Sequence, residues 1–399
     1  MIDCKAFFGF ENKYFEEKDC GNTASEIAGQ PLLWNELGKT LLAKKQDISD
    51  FMKRVRSDDS PGNTRNMRII LTGAGSSAFI GEALALFVAK SGGIRCEAIH
   101  TTDIVSAPDE VLFADIPTLL ISFARSGNSP ESAGAVQYAR KKIKTLFEAA
   151  IICDDSSKLY NTTAENSDNL ILVMPRGAND KGFAMTVSFT CMLLAGFALL
   201  NHEKIDELVK DISLLSENLS KSSIDLSAMA QKYAKKDFGR AAYLASGGFK
   251  GLAHEGSLKM MELSNGRVCA SFDSATGFRH GPKTVIKDNA LSLHFISNDP
   301  FTSRYDMDLL AEVYKEKNKN FILAIRGDNA KEVEADDVVT LTSGGYDFAT
   351  SLCIGINALV FFQILAMFKS LELGITTDNP SPSGQVNRVV KGVIVYPYE

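Results

Sequence analysis

ILTGAGSSAFIGEALAL, Ile70 to Leu86, opens on a short apolar run, turns through Gly73 and Gly75 into two serines, and continues with apolar residues at helical spacing. Strand, tight turn and helix in that order begin a parallel α/β unit, and glycine lets the chain make so abrupt a turn. A second stretch, YLASGGFKGLAHEGSLK from Tyr243 to Lys259, can be laid over the first at a constant offset, with Glu82 and Glu255 at matching positions. The match predicts a duplicated domain.

The pattern extends on both sides. After Ile70–Leu86 it returns with IRCEAIHTTDIV, with TLLISFARSG before SPESAGAVQYARKK, with FEAAIICDD and with NLILVMP, and a helix over Ala184–Leu200 closes the first half. NHEKIDELVKDISLLSENLSKSS reads as a charged amphipathic helix leading into the second half. There LSLHFIS, FILAIRG and DVVTLTS supply further strands and Asp347–Leu371 the last helix. Short apolar strands alternating with helices give parallel sheets covered on both faces, so the expected fold class is α/β, two doubly wound parallel-sheet domains. The expected division is a helical lead-in at 1–65, a first domain at 66–205, a second at 206–375 and a tail at 376–399, with turn formers clustered in SDDSPGNTRN, Ser57–Asn66.

Composition narrows the function. A net charge of −6 without clustered Lys and Arg speaks against a nucleic-acid partner, because phosphate backbones demand concentrated positive charge. The seven cysteines are scattered with no CxxC pair, and no basic-plus-apolar leader opens the chain, so reduced, cytoplasmic thiols are expected. SLCIGINALVFFQILAMF, Ser351–Phe368, has about the length of a short membrane span but carries Asn357 and Gln363; it reads as a buried core helix, and no membrane partner is expected. The five histidines are dispersed, HEGSL is not HExxH, and neither GxSxG nor a Cys/His motif occurs, so neither a metal nor a nucleophile triad is expected.

Two turns carry the chemistry. GAGSSA, Gly73–Ala78, fits the dinucleotide pattern G-x-G-x-x-G/A, with Glu97 about 20 residues on. It equally fits a small-anion site, in which amides at a helix start are joined by the hydroxyls of Ser76 and Ser77. SFARSGNSPES, Ser122–Ser132, favours the second reading: Ser129-Pro130 reads as an N-cap and first helical residue, which puts Ser126–Ser129 in a turn at a positive helix end. Hydroxyls and the Arg125 guanidinium suit a phosphomonoester, whereas a pyrophosphate needs a longer track of amides. Serines that only cap and turn are the plainer alternative. The second half has Phe249 and Lys250 where the first has Ser76 and Ser77, so one phosphate site per chain is expected.

These residues, with HEGSLKMMELSNG, FDSATGFRHGPKTVI and NPSPSGQVNRVVKGVIVYP, resemble the sugar isomerase (SIS) domain family. The pattern is similar to its AgaS-type tagatose-6-phosphate ketose/aldose isomerase group, which is related to the isomerase half of glucosamine-6-phosphate synthase. The resemblance runs from TASEIAGQPLLWNEL onward. It implies two SIS domains and a phosphate site of Ser76, Ser77, Ser126 and Ser129 with Arg125 beside them, although the synthase relatives usually have glutamine at that last position. It implies Glu262 as the base that moves a proton between C1 and C2, Lys259 one helical turn earlier, His280 in RHGP as the ring-opening histidine, and Lys391 in VVKGVIV near the anomeric end. No cofactor is implied. In relatives the histidine reaches in from a neighbouring subunit, which implies a homodimer or homotetramer.

Aldose–ketose conversion through an enediol needs one base near neutral pH, and a partly desolvated carboxylate suits it. Glu255, Lys259 and Glu262 share one helix face, so Lys259 has the alternative role of a solvated ion-pair partner. His280, beside Gly281-Pro282, has that of a plain surface histidine. No glutaminase domain is read before the lead-in, and without that ammonia source the resemblance implies breakdown: galactosamine 6-phosphate to tagatose 6-phosphate plus ammonia. The alternatives are ketose/aldose isomerisation without loss of nitrogen, a non-catalytic phosphosugar-binding regulator, and a dinucleotide-dependent oxidoreductase.

Overall fold

The computed structural model describes residues 2–56, 67–390 and 392–398; the Ser57–Asn66 break lies outside the described residues. Two compact units divide the chain, one built from Leu33–Asp180, Val187–Val209 and Gly384–Glu399, the other from Met1–Leu32, Lys181–Thr186 and Lys210–Ser383.

The first-named unit holds strands β1 (Arg68–Thr72), β2 (Glu97–Ala98), β3 (Thr118–Ala124), β4 (Leu146–Ile152) and β5 (Leu170–Val173), all parallel in the order β2-β1-β3-β4-β5. Every residue of β3, TLLISFA, is buried, which is why it reads as a continuous apolar run rather than an alternating one. Within IRCEAIHTTDIV the strand is only Glu97–Ala98, and a helix begins at Thr101 with Asp103 in its first turn. The helix expected from Ala184 begins at Val187, where the Asp180 carboxylate accepts the N–H groups of Val187 and Ser188, each at 3.1 Å. All of that helix is buried, and a Cβ on Gly196 would lie 2.7 Å from Leu84, so glycine is what lets it press against the Ser76–Gly92 helix.

In the other unit β6 (Arg240–Leu244), β7 (Cys269–Asp273), β8 (Ala290–Ile296), β9 (Phe321–Gly327) and β10 (Asp337–Leu341) are again all parallel, in the order β10-β9-β8-β6-β7. Read from the β7 edge, this is the order of the first sheet, so the repeated sequence pattern is a repeated topology. CASFD has no apolar run to mark it as a strand, because β7 is an edge strand on which only Ala270 is buried. The apolar Thr350–Glu372 helix is long enough to cross a membrane, but 94% of its most apolar window is buried inside the structure. Gln363 on it accepts from Gln30 Nε2 at 2.9 Å, and Phe362 fills the space left by Gly256, whose Cβ would lie 2.6 Å away.

His294, buried on β8, has its Nε2 3.2 Å from the Ser292 hydroxyl, and burial pushes its imidazole down to about 3 from an ordinary 6.5. The unfolded chain therefore takes up this proton at a higher pH than the folded one, and stability is lost as pH falls from about 6.5 toward about 3. Between pH 7.5 and 5 the contribution of His294 is expected to fall by about 2 kcal/mol. Urea unfolding of the wild type and His294→Leu at both pH values checks it: the variant should lose correspondingly less, and equal losses would count against a buried neutral histidine.

Candidate active site

β1 and β3 pair in register from Arg68–Thr118 to Thr72–Ser122, and the strand order reverses between them. In open parallel sheets this switch point is where ligands bind, beyond the carboxyl ends of the strands. From β1 the chain passes through Gly73, Ala74 and Gly75 into the helix Ser76–Gly92, whose N-terminal end favours an anion. Gly75 has a left-handed φ of 55°, and a Cβ on Gly73 would stand 2.5 Å from the carbonyl carbon of Ser77. Position 73 is thus closed to any other residue unless Ser77 moves. Gly73→Ala is expected to weaken binding of inorganic phosphate by about tenfold to a hundredfold, through misplacement of the helix start. Isothermal titration measures this, and an unchanged affinity would remove the turn from the phosphate site.

Beyond β3 come Arg125, Ser126, Gly127, Asn128 and Ser129, with Ser129 extended and Pro130 first in the helix Pro130–Lys142. Gly127 has a φ of 59°, and a Cβ there would fall 2.4 Å from the Ser157 hydroxyl. Its carbonyl accepts from Leu159 N–H at 3.0 Å, and the Asn128 Oδ1 accepts from Lys158 N–H at 3.1 Å. The helix Lys158–Ala164 therefore holds this turn in place before any ligand arrives. The Ser129 hydroxyl lies 2.7 Å from that of Ser132 rather than bonding the helix amides. Arg125 is buried, and its guanidinium donates to the carbonyl of Arg388 at 2.6 Å. Arg388 in turn donates to the carbonyl of Asp180 and, at 3.4 Å, to Asn179 Oδ1. Beyond any contact with an anion, Arg125 thus anchors the tail, a role that no local pattern of residues discloses. Glu97, which a dinucleotide site would turn toward a ribose, gives both oxygens to Arg68 at 2.9 and 2.7 Å.

The other unit brings together the three residues read on one helix face. On the helix Phe249–Leu263, Lys259 Nζ lies 3.2 Å from Glu255 Oε1 and 2.5 Å from Glu262 Oε2. Lys259 and Glu255 are wholly buried, while the Glu262 side chain is 25% exposed. Of the alternatives for Lys259, a solvated ion pair is therefore overturned: the pair is dry. Burial works against the charge of Lys259, but the Glu255 and Glu262 carboxylates outweigh it and hold the ammonium above the usual lysine range. Glu262 is thus oriented by the Lys259 ammonium while its side chain keeps an opening to solvent. His280 is exposed, just after the short 3-10 turn Gly277–Arg279. Lys391 lies outside the described residues. Among the described residues no three His, Cys, Asp or Glu side chains group as a metal site would need.

Sheet order, the repeated topology and the serine turns at the switch point define a doubly wound α/β protein with a ligand site of the small-anion type at the end of its first sheet. The SIS domain family model matches residues 64–202. Over 381 residues the chain is 38% identical to the D-galactosamine-6-phosphate deaminase AgaS of Escherichia coli, covering 94% of this chain and 96% of that protein. It is 36% identical over 379 residues to the protein of the same name from Shewanella sp. (strain ANA-3), covering 94% and 92%. The structure of tagatose-6-phosphate ketose/aldose isomerase from Escherichia coli superimposes with a TM-score of 0.85 at 33% identity, covering 95% of this chain and 97% of that one. The chain belongs to the SIS-domain family and, within it, to the AgaS group.

Proposed function

We propose that the chain is a deaminating sugar-phosphate isomerase acting on galactosamine 6-phosphate and releasing tagatose 6-phosphate and ammonia. The observation that carries this reading is the clamped carboxylate: Glu262 is held by the buried ammonium of Lys259 and is still open on one side. It comes in a chain 38% identical to a relative named as that deaminase.

The chemistry runs on few groups. Ser76, Ser77, Ser126 and Ser129, with Arg125, hold the phosphate, and His280 assists ring opening. Glu262 takes the proton from C2 of the open-chain amino sugar while the C1 carbonyl oxygen gains one, leaving an enolamine, and returns its proton to C1 as the amine nitrogen gives one up. The result is a ketimine at C2 with a hydroxymethyl group at C1. Water adds to C2, the C–N bond breaks, and ammonia leaves from the ketose. Lys391 acts near the anomeric end. The exposure of His280 suits a residue that works at a neighbour's site, so a homodimer or homotetramer is part of the proposal. A phosphorylated intracellular metabolite and seven free thiols, among them the exposed Cys269, suit the cytoplasm.

Ammonia assayed by a coupled dehydrogenase during incubation with galactosamine 6-phosphate tests the reading. Release in step with tagatose 6-phosphate is expected. Retained phosphosugar binding without ammonia would sink it, and interconversion of unaminated phosphosugars would then favour the plain isomerase, the name borne by the Escherichia coli structural relative.

A further inference from the structure

We infer that the second unit carries the counterpart of the phosphate cradle and that the carboxylate of Asp306 occupies it as a built-in anion, which leaves each chain one cradle for phosphosugars. The inference deepens the phosphate assignment of the proposed function and rests on it.

The repeat locates the counterpart. β3 and β8 are each seven residues long, and each is followed by a helix after five residues, 125–129 in one unit and 297–301 in the other. On that spacing Ser297 stands where Arg125 is and Phe301 where Ser129 is. Counted back from the starts of the helices that follow β1 and β6, Ser246 stands where Gly73 is, and Phe249 and Lys250 where Ser76 and Ser77 are. The strand order of the second sheet reverses between β6 and β8, so its switch point lies between the turns that hold Ser246 and Ser297.

Asp306 fills that place. It is the fifth residue of the helix Thr302–Lys315 and is 4% exposed. One carboxylate oxygen accepts the Ser246 hydroxyl at 2.6 Å, and the other accepts the Ser297 N–H at 3.0 Å. A hydroxyl from the turn after one strand and a backbone amide from the turn after its neighbour are the donor types that an anion cradle presents, and here both are spent on the protein's own carboxylate. The hydroxyl positions are gone as well: Phe249 is buried against Phe295, with ring centroids 4.2 Å apart. In the first unit the residue matching Asp306 on the same spacing is Gly134, which has no side chain to offer.

The test uses inorganic phosphate and formate on the full chain, with binding by isothermal titration and stability by thermal unfolding. The wild type is expected to bind one phosphate per chain, and Ser76→Ala combined with Ser126→Ala to remove it. Asp306→Gly is expected to melt lower than the wild type, to recover most of that loss with formate but not with chloride at equal ionic strength, and to bind a second phosphate. Two equivalents on the wild type would overturn the inference. So would a folded Asp306→Gly that binds one phosphate and gains nothing from formate. Should glycine prevent folding, Asp306→Ala, which frees the same donors without the cost of glycine in a helix, is read in its place by the same criteria. Turnover does not enter, so failure of the deaminase reading leaves this result standing. An unaltered phosphate affinity in the Ser76/Ser126 variant would count against the first cradle instead.

Discussion

Glu262→Gln is expected to lower kcat on galactosamine 6-phosphate by about a thousandfold, with phosphosugar binding nearly unchanged. The substitution keeps the side chain's length and an oxygen that still accepts from Lys259, now 2.5 Å from the carboxylate, so the helix face keeps its geometry. What it removes is the basic oxygen that the proposed mechanism uses to take the C2 proton, since an amide is no base near neutral pH. The loss should therefore fall on kcat and kcat/KM alike, the pattern of an interaction made only in the transition state. Solvent deuterium offers a second readout. The wild type should wash label into C1 of the ketose, and the variant should not exchange C2 of the substrate on the same timescale. Activity within about tenfold of the wild type would remove Glu262 from the base role, for general-base groups contribute about a hundredfold or more. Glu255 would be a poor replacement, being wholly buried.

What the chain discloses in one dimension follows burial and local turn chemistry. β3, β4, β8 and β9 are largely or wholly buried, and central parallel strands of this kind leave long apolar runs that cannot be mistaken. β7 sits at a sheet edge with one buried residue, and CASFD carries no such imprint. The serine turns were legible because glycine at positive φ, proline at the first helical position and small hydroxyl residues are each demanded locally. The hold of Arg125 on the Arg388 carbonyl spans 263 residues, and no local rule reaches that far. Asp306 was silent for a related reason: an aspartate five residues into a helix looks like surface charge until the turns around it are in place. Helical spacing put Glu255, Lys259 and Glu262 on one face, but periodicity gives a face and not what lies over it. Whether that face was wet or dry decided what Lys259 is, and only the packed structure answers it.

That dry setting makes Lys259→Met the substitution with the largest expected effect on stability. Lys259 and Glu255 are both wholly buried, and the lysine ammonium balances a carboxylate that has left water entirely. Removing one member of such a pair leaves an uncompensated charge, at a cost of about 3–5 kcal/mol. Methionine matches the length of the lysine stem, so little of the loss should come from a cavity. Adding Glu255→Gln to Lys259→Met removes the stranded charge, and the double variant is expected to be more stable than Lys259→Met alone, a coupling that independent sites would not show. Urea unfolding of wild type, both single variants and the double variant closes the cycle. A small loss in Lys259→Met, about 1 kcal/mol or less and additive with Glu255→Gln, would mean that water reaches the pair and that the exposed-pair regime holds after all. The same set separates structure from chemistry at Glu262. Loss of its lysine partner frees the carboxylate to rotate, so the double variant, although folded, should show a depressed kcat. If it turned over like the wild type, Lys259 would have no part in orienting the base.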